Sequence, residues 1–277
     1  MNVELTRRNV TRRGDLLIAD ARAAQRELGL NLTWRRPNAL GYGKGLVLTA
    51  AALDENTDAF DQQLLKLGAG YEVVKSQKLN YNFGVRGQYI REKDSATTQD
   101  YQTLAAYAGV NIDHSDSVLD PRKGWKAEAR VVPTYAFGGT SNKAYLRGVT
   151  QGRAYLPVDT KARLVIAGRV RVGFLFGTDA ADVPGDDRFY AGGGGSVRGY
   201  GYQAIGPFDV DDNPVGGRSL LDASVEARWR YNDKIGIVGF IDAGNTSDEL
   251  YPNFSDIKIG AGIGAPALWL ALSNVSR

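Results

Sequence analysis

The sequence predicts an all-β fold: an antiparallel meander of about twelve strands, of the kind that builds a transmembrane β-barrel. Three observations carry this. Apolar and polar residues alternate with period two in stretch after stretch. Many stretches run nine to thirteen residues, where globular strands average about five or six. One face of each stretch is charged with both signs, as a water-filled lumen tolerates.

The elements follow in chain order. Weak alternation covers Asp15–Gln25, Leu28–Trp34, Gly45–Leu53 and Asp61–Tyr71. From Leu79 to Tyr89 it is clean, with Leu79, Tyr81, Phe83, Val85 and Tyr89 opposing Asn80, Asn82, Arg86 and Gln88. After a weaker run at Asp100–Asp113, Gly124–Pro133 sets Trp125, Ala127, Ala129 and Val131 against Lys126, Glu128 and Arg130. Lys143–Tyr155 is weaker again. In Ala162–Phe176, Leu164, Ile166, Val170, Val172 and Phe174 oppose Arg163, Arg169 and Arg171. Ser219–Tyr231 is the clearest, with Leu221, Ala223, Val225, Ala227 and Trp229 against Asp222, Ser224, Glu226, Arg228 and Arg230. Ile235–Asp242 and Asp256–Ile263 close the series, the former after a turn at Asn232-Asp233-Lys234.

Alternation alone fits a soluble sandwich or barrel as well as a membrane one. Strand length, the charged face, and aromatics near strand ends (Trp34, Tyr71, Trp125, Tyr155, Phe176, Trp229, Tyr231) favour the membrane. No run of 18 apolar residues exists, so no spanning helix is predicted. Arg7, Arg8, Arg12 and Arg13 are not followed by the apolar stretch of a signal peptide.

Composition narrows the chemistry. There are no cysteines, which excludes disulfides and thiol catalysis. The one histidine, His114, sits in a polar His-Ser-Asp-Ser run and reads as a turn residue. A net charge of +3 with no basic stripe gives no support for nucleic acid as a partner. No nucleophile, acid/base pair, metal site or cofactor motif is complete. The glycine run Gly192, Gly193, Gly194, Gly195 lacks the Gly-Lys-Ser/Thr of a phosphate loop. Arg198 stands where a G-x-S-x-G elbow needs its last glycine. The run Asp209-Val210-Asp211-Asp212-Asn213 starts like a calcium loop, but Pro214 and Leu220 occupy the positions of its glycine and glutamate. The sequence therefore predicts no enzyme.

Two features remain. Val197-Arg198-Gly199-Tyr200 lies in a connection of roughly forty residues, Gly177 to Arg218, a length that is usually functional or disordered. Phe240-Ile241-Asp242-Ala243-Gly244 ends a strand whose apolar face is Ile235, Ile237, Ile241 and Ala243, so Phe240 and Asp242 point inward. A carboxylate on the inner wall and an arginine on a loop long enough to fold inside are natural partners, with Glu226 and Asp222 as second acceptors.

The runs RFYAGGGGSVRGYGYQAIGP, GGRSLLDASVEARWRY and GFIDAGN, with the D-x-x-x-D-P-R-K-G-W turn at Asp116–Trp125, resemble the outer-membrane assembly barrels. That superfamily includes BamA-, TamA- and FhaC-like proteins, and the chain looks closest to the TamA-like translocation and assembly modules. The resemblance implies a sixteen-stranded barrel in the bacterial outer membrane, with Arg198 of the lumenal loop meeting Asp242. It implies periplasmic POTRA repeats before the barrel. It also implies a seam between first and last strands for inserting β-barrel or autotransporter clients. The implied partners are outer-membrane lipid, unfolded clients, and an inner-membrane-anchored partner that spans the periplasm. Related expectations are a two-partner secretion pore, the barrel anchor of a surface enzyme, or a soluble β-rich binding protein. On this reading residues 1–264 are a partial barrel domain, incomplete at both ends and without POTRA repeats, and 265–277 form an atypical tail. Gly192–Gly195 let the loop turn, Gly199 lets its backbone approach the wall, and Tyr200 and Phe240 pack around the pair.

Overall fold

A computed structural model describes residues 1–93, 98–139, 141–232 and 235–264. The turn residues 233–234 and the tail 265–277 fall outside these. The described residues form one antiparallel sheet of thirteen strands in sequence order. They are β1 (Asn2–Arg8), β2 (Leu16–Ala24), β3 (Glu27–Arg36), β4 (Lys44–Asn56), β5 (Asp61–Ser76), β6 (Leu79–Lys93), β7 (Thr98–Asp113), β8 (Gly124–Gly138), β9 (Lys143–Pro157), β10 (Leu164–Phe176), β11 (Ser219–Arg230), β12 (Gly236–Ser247) and β13 (Lys258–Gly264).

This corrects the expected fold class. Closing a barrel requires hydrogen bonds between the first and last strands. Among the described residues β1 pairs only with β2, from Asn2↔Arg22 to Arg8↔Leu16, and β13 only with β12, from Val238↔Gly264 to Gly244↔Lys258. The sheet is open, with an edge at each end. There are thirteen strands rather than about twelve because β1, Asn2–Arg8, lies in the segment that reads as a basic terminus.

The two faces differ as period two requires. On β5 Leu65 and Leu67 are exposed while Gln62 and Leu64 are buried. On β11 Val225 and Trp229 are exposed while Asp222 and Ser224 are buried. The outward face is thus an apolar belt and the inward face carries the charges.

Segment 177–218, between β10 and β11, lies across the inward face like a strap. It includes two single 3-10 turns, Ala180–Asp182 and Gly185–Asp187. Its Val183, Phe189, Ala191, Val197 and Ile205 form a core with Ala136, Tyr145, Leu175 and Leu220 of the sheet. Each fully buried aliphatic or phenyl group contributes about 1.5–3 kcal/mol. The inward face is therefore partly apolar under the strap, where a polar lumen was expected.

Candidate functional site

The strap reaches β12 and β13 at Val197 and Arg198. Val197 is fully buried. A Cβ added to Gly244 would stand 2.9 Å from Val197 Cγ2, and one at Gly260 would stand 2.1 Å from the Arg198 carbonyl oxygen. Side-chain-free positions on two adjacent strands thus form the seat of the strap.

Arg198 then donates to three residues of the wall. Its Nε donates to Asp242 Oδ2 at 2.7 Å and its Nη2 to Asp242 Oδ1 at 2.8 Å, a bidentate pair. Its backbone N–H adds a third bond to Asp242 Oδ2 at 3.0 Å. Nη1 donates to Glu226 Oε1 at 2.7 Å, and Nη2 also to Ser224 Oγ at 3.0 Å. Ser224 Oγ in turn donates to Asp242 Oδ1 at 2.6 Å. Arg198 Cζ lies 3.5 Å from the centroid of the Phe240 ring, a cation–π contact. Register explains the convergence, because Ser224 pairs with Asp242 and Glu226 with Phe240 across β11 and β12. Bonds to Asp242 and then Glu226 hold the Arg198 guanidinium charged well above arginine's usual range. Arg228 Nε donates to Glu226 Oε2 at 2.8 Å, so Glu226 has a second cation.

The remaining sequence-predicted residues take different places. Gly199 has φ +94 and nothing within 4 Å of its added Cβ, so left-handed backbone rather than close approach requires glycine there. The close approach expected of Gly199 belongs to Gly244 and Gly260. Tyr200 reaches past the pair and donates its hydroxyl to the Ile259 carbonyl of β13 at 3.3 Å. Gly192 and Gly193 have positive φ, while Gly194 and Gly195 have neither positive φ nor a close neighbour. Asp222 is not an acceptor for Arg198. It is fully buried and binds Arg171 Nε at 2.7 Å and Arg169 Nη2 at 3.1 Å. Arg169 Nη1 also donates to the Gly195 carbonyl at 2.8 Å. The run Asp209–Asn213 is a self-capped turn, with Asp209 Oδ1 accepting from the backbone of Asp211 and Asn213 at 2.9 Å each.

Sequence reasoning missed a second anchorage at the strap's start. Arg188, buried, donates from Nη2 to Glu92 Oε1 of β6 at 3.3 Å and from Nε to the Val183 carbonyl at 3.0 Å. Glu92 Oε2 accepts from the Gly185 N–H at 2.7 Å. Asp187 Oδ2 accepts from the Tyr145 hydroxyl of β9 at 2.5 Å, and the Asp187 carbonyl from Arg147 Nε at 3.0 Å. The only signal was that Glu92 continues the inward face of β6. Among the described residues no group of three His, Cys, Asp or Glu is placed to hold a metal.

An all-antiparallel sheet with an apolar outer belt, charges inside and a strap pinned across them defines a membrane β-protein with a tethered inner loop. The family model described as "Omp85 superfamily domain" matches residues 9–267, and the chain belongs to that superfamily. It is accordingly a bacterial outer-membrane protein. Over 171 residues it is 28% identical to the outer membrane protein assembly factor BamA of Nitratidesulfovibrio vulgaris, a match covering 59% of this chain. The chain spans 21% of that curated relative's length. Its fold is similar to BamA from Haemophilus ducreyi lacking POTRA domains 1–3, with TM-score 0.84, 16% identity, and coverage of 96% of this chain and 60% of that one. CdiB from Acinetobacter baumannii is more distant, with TM-score 0.62, 11% identity, and coverage of 96% and 50%. None of these favours the TamA-like subgroup over BamA.

Proposed function

We propose that this chain is the membrane-embedded part of an outer-membrane protein biogenesis factor. It accepts unfolded β-barrel or autotransporter clients and lowers the barrier to strand insertion at the open edge of its sheet. Residues 1–264 act as the membrane domain. POTRA repeats upstream, and in a TamA-like form an inner-membrane-anchored partner, deliver the client. The carrying observation is the edge at β13, which among the described residues pairs with no strand but β12. In hydrocarbon each unsatisfied backbone group costs several kcal/mol. A client strand that pairs there satisfies both itself and the edge, which is β-augmentation inside a membrane. Arg198 and Asp242, with Glu226 and Phe240, hold the strap against β12, and Gly260 and Tyr200 hold it to β13. The edge strand is thereby kept in place while clients come and go. A secretion pore is less well supported, because the strap fills the inward face that cargo would cross.

Site-specific photo-crosslinking in native outer membranes tests the proposal. A photoreactive residue at Leu5 or Ile259, both exposed on edge strands, is expected to capture assembling client. One at Leu104, exposed on central β7, is expected to capture none. Equal capture at all three positions, or none at either edge, overturns the reading.

A further inference from the structure

The molecule is electrically polarised along its strands. The strap enters from one end of the sheet. The opposite end carries the connections β1–β2, β3–β4, β5–β6, β7–β8 and β9–β10. Each places an exposed cation there: Arg12 and Arg13, Lys44, Lys78, Lys123 and Lys161, respectively. None of these side chains has a hydrogen bond or ion pair among the described residues.

The described acids at the same end are already engaged. Asp15 accepts from Thr11 and Trp34, Glu72 from Arg35, Asp113 from Lys126 and Ser115, Asp116 from two turn amides, Asp120 from Arg230, and Asp159 from the Leu164 N–H. At the strap end the exposed charges are largely acidic, including Asp211, Asp212, Asp248, Glu249 and Asp256. A net charge of only +3 thus conceals a cationic rim at one end.

The depth of this rim indicates what it meets. Trp125, Trp229 and Tyr231 are exposed on the outward face near the turns, and Tyr135 and Phe137 near the other end. From Trp125 to Tyr135 along β8 is about 33 Å at about 3.3 Å per residue, or roughly 25 Å of height at a tilt of about 40°. That matches the apolar band of an outer-membrane sheet flanked by aromatic girdles. The free cations lie just beyond one girdle, at the level of headgroup phosphates. A lysine or arginine near an anionic membrane surface strengthens binding by about fivefold.

We infer that the turn-end rim is a docking surface for anionic phospholipid headgroups, selecting phosphatidylglycerol-type lipid over zwitterionic lipid in the leaflet at that end. The inference rests on residence in the outer membrane and not on the assembly activity proposed above.

The tryptophans report on this rim, because Trp34, Trp125 and Trp229 all lie toward it. In a Trp269→Phe background, fluorescence quenching by brominated phosphatidylglycerol is compared with brominated phosphatidylcholine in mixed vesicles. The expected result is a relative binding constant favouring phosphatidylglycerol by about fivefold or more at low salt. Sodium chloride at about 0.5 M should erase it, as screening of exposed charges requires. Joint Arg12→Gln, Arg13→Gln, Lys44→Gln, Lys78→Gln, Lys123→Gln and Lys161→Gln substitution should erase it at low salt. Equal quenching by the two lipids, or a preference indifferent to salt, overturns the inference even if the substituted chain fails to fold. Stronger protection of the rim by soluble polyglutamate than by phosphatidylglycerol vesicles would assign it to an acidic protein, which also overturns it.

Discussion

Asp242 is a carboxylate with no exposed surface, and Arg198 supplies three of its hydrogen bonds. The pair is asymmetric. Without the guanidinium, Asp242 keeps only Ser224 and one backbone N–H, so a charge is stranded inside the protein, at a cost of about 3–5 kcal/mol. Without the Asp242 charge, Arg198 still has Glu226 and the Phe240 ring, so the loss is smaller, about 1–3 kcal/mol. Urea unfolding in detergent micelles should therefore show Arg198→Ala more destabilised than Asp242→Asn. The double variant should be less destabilised than Arg198→Ala and close to Asp242→Asn alone, since the stranded charge is gone. Strict additivity would show that the two residues act independently. Much of this cluster was legible from residue types and period two, which put Asp242 and Phe240 inward and left Arg198 on a loop able to reach them. Gly260 was not legible, because a glycine on an edge strand declares its purpose only once the strap's carbonyl is seen 2.1 Å from its added Cβ. Asp222 was misread for a related reason. The inward face of β11 was right, but Arg169 and Arg171 on β10 are its register neighbours and claim it first.

At the scale of the element, β1 shows why one strand escaped. Its sequence NVELTRR alternates only over Val3 to Thr6, and every one of its residues is exposed, so no buried face imposes period two. The central strands were easy because one face meets lipid and the other meets charge. Their ends were harder. β5 runs to Ser76 and β6 to Lys93, beyond the apolar band, where both faces are polar and alternation carries no signal. What holds β1 to the sheet is local. Asp15, before β2, accepts from Thr11 N–H and Oγ1, each at 2.9 Å, and from Trp34 Nε1 of β3 at 2.7 Å. Burial pushes its carboxyl up, but these bonds outweigh burial and hold it at about 2, below its usual 3.8. A folded pKa below the unfolded one stabilises above the unfolded value and is lost as pH falls through the folded one. The β1–β2 connection should thus be fully braced above about pH 4 and loosen between pH 4 and 2. Amide hydrogen exchange of β1 is expected to accelerate over that window in the native chain and to be fast and flat across it in Asp15→Asn. Unchanged protection down to pH 2 would remove Asp15 as the brace.

At the scale of the whole molecule, an open sheet of thirteen strands has no closing ladder to fix its curvature, and each strand is hydrogen-bonded only to its sequence neighbours. The β7–β8 connection crosses this order only through Asp120, which accepts from Arg230 of β11, whereas the strap crosses it at both of its ends. Its start is bound to β6 and β9 through Glu92 and Tyr145, and its tip to β11, β12 and β13 through Glu226, Asp242 and the Ile259 carbonyl. It therefore acts as a tie across the concave side, and the apolar core beneath it resists sliding. Cutting one anchor leaves the other and the core, so curvature should persist. Cutting both leaves the core and the smaller strap contacts, among them Tyr145 to Asp187 and Arg169 to the Gly195 carbonyl, and the sheet is freer to flatten. Spin labels at Gln63 on β5 and Ile237 on β12 read the span in electron–electron resonance experiments. Arg188→Ala and Arg198→Ala taken singly should leave the distance distribution near that of the parent chain. The two together should broaden it and move it to longer distances. If the double variant keeps the parent distribution, curvature is set by the strands and their twist, and the strap is a passenger on a sheet already shaped without it.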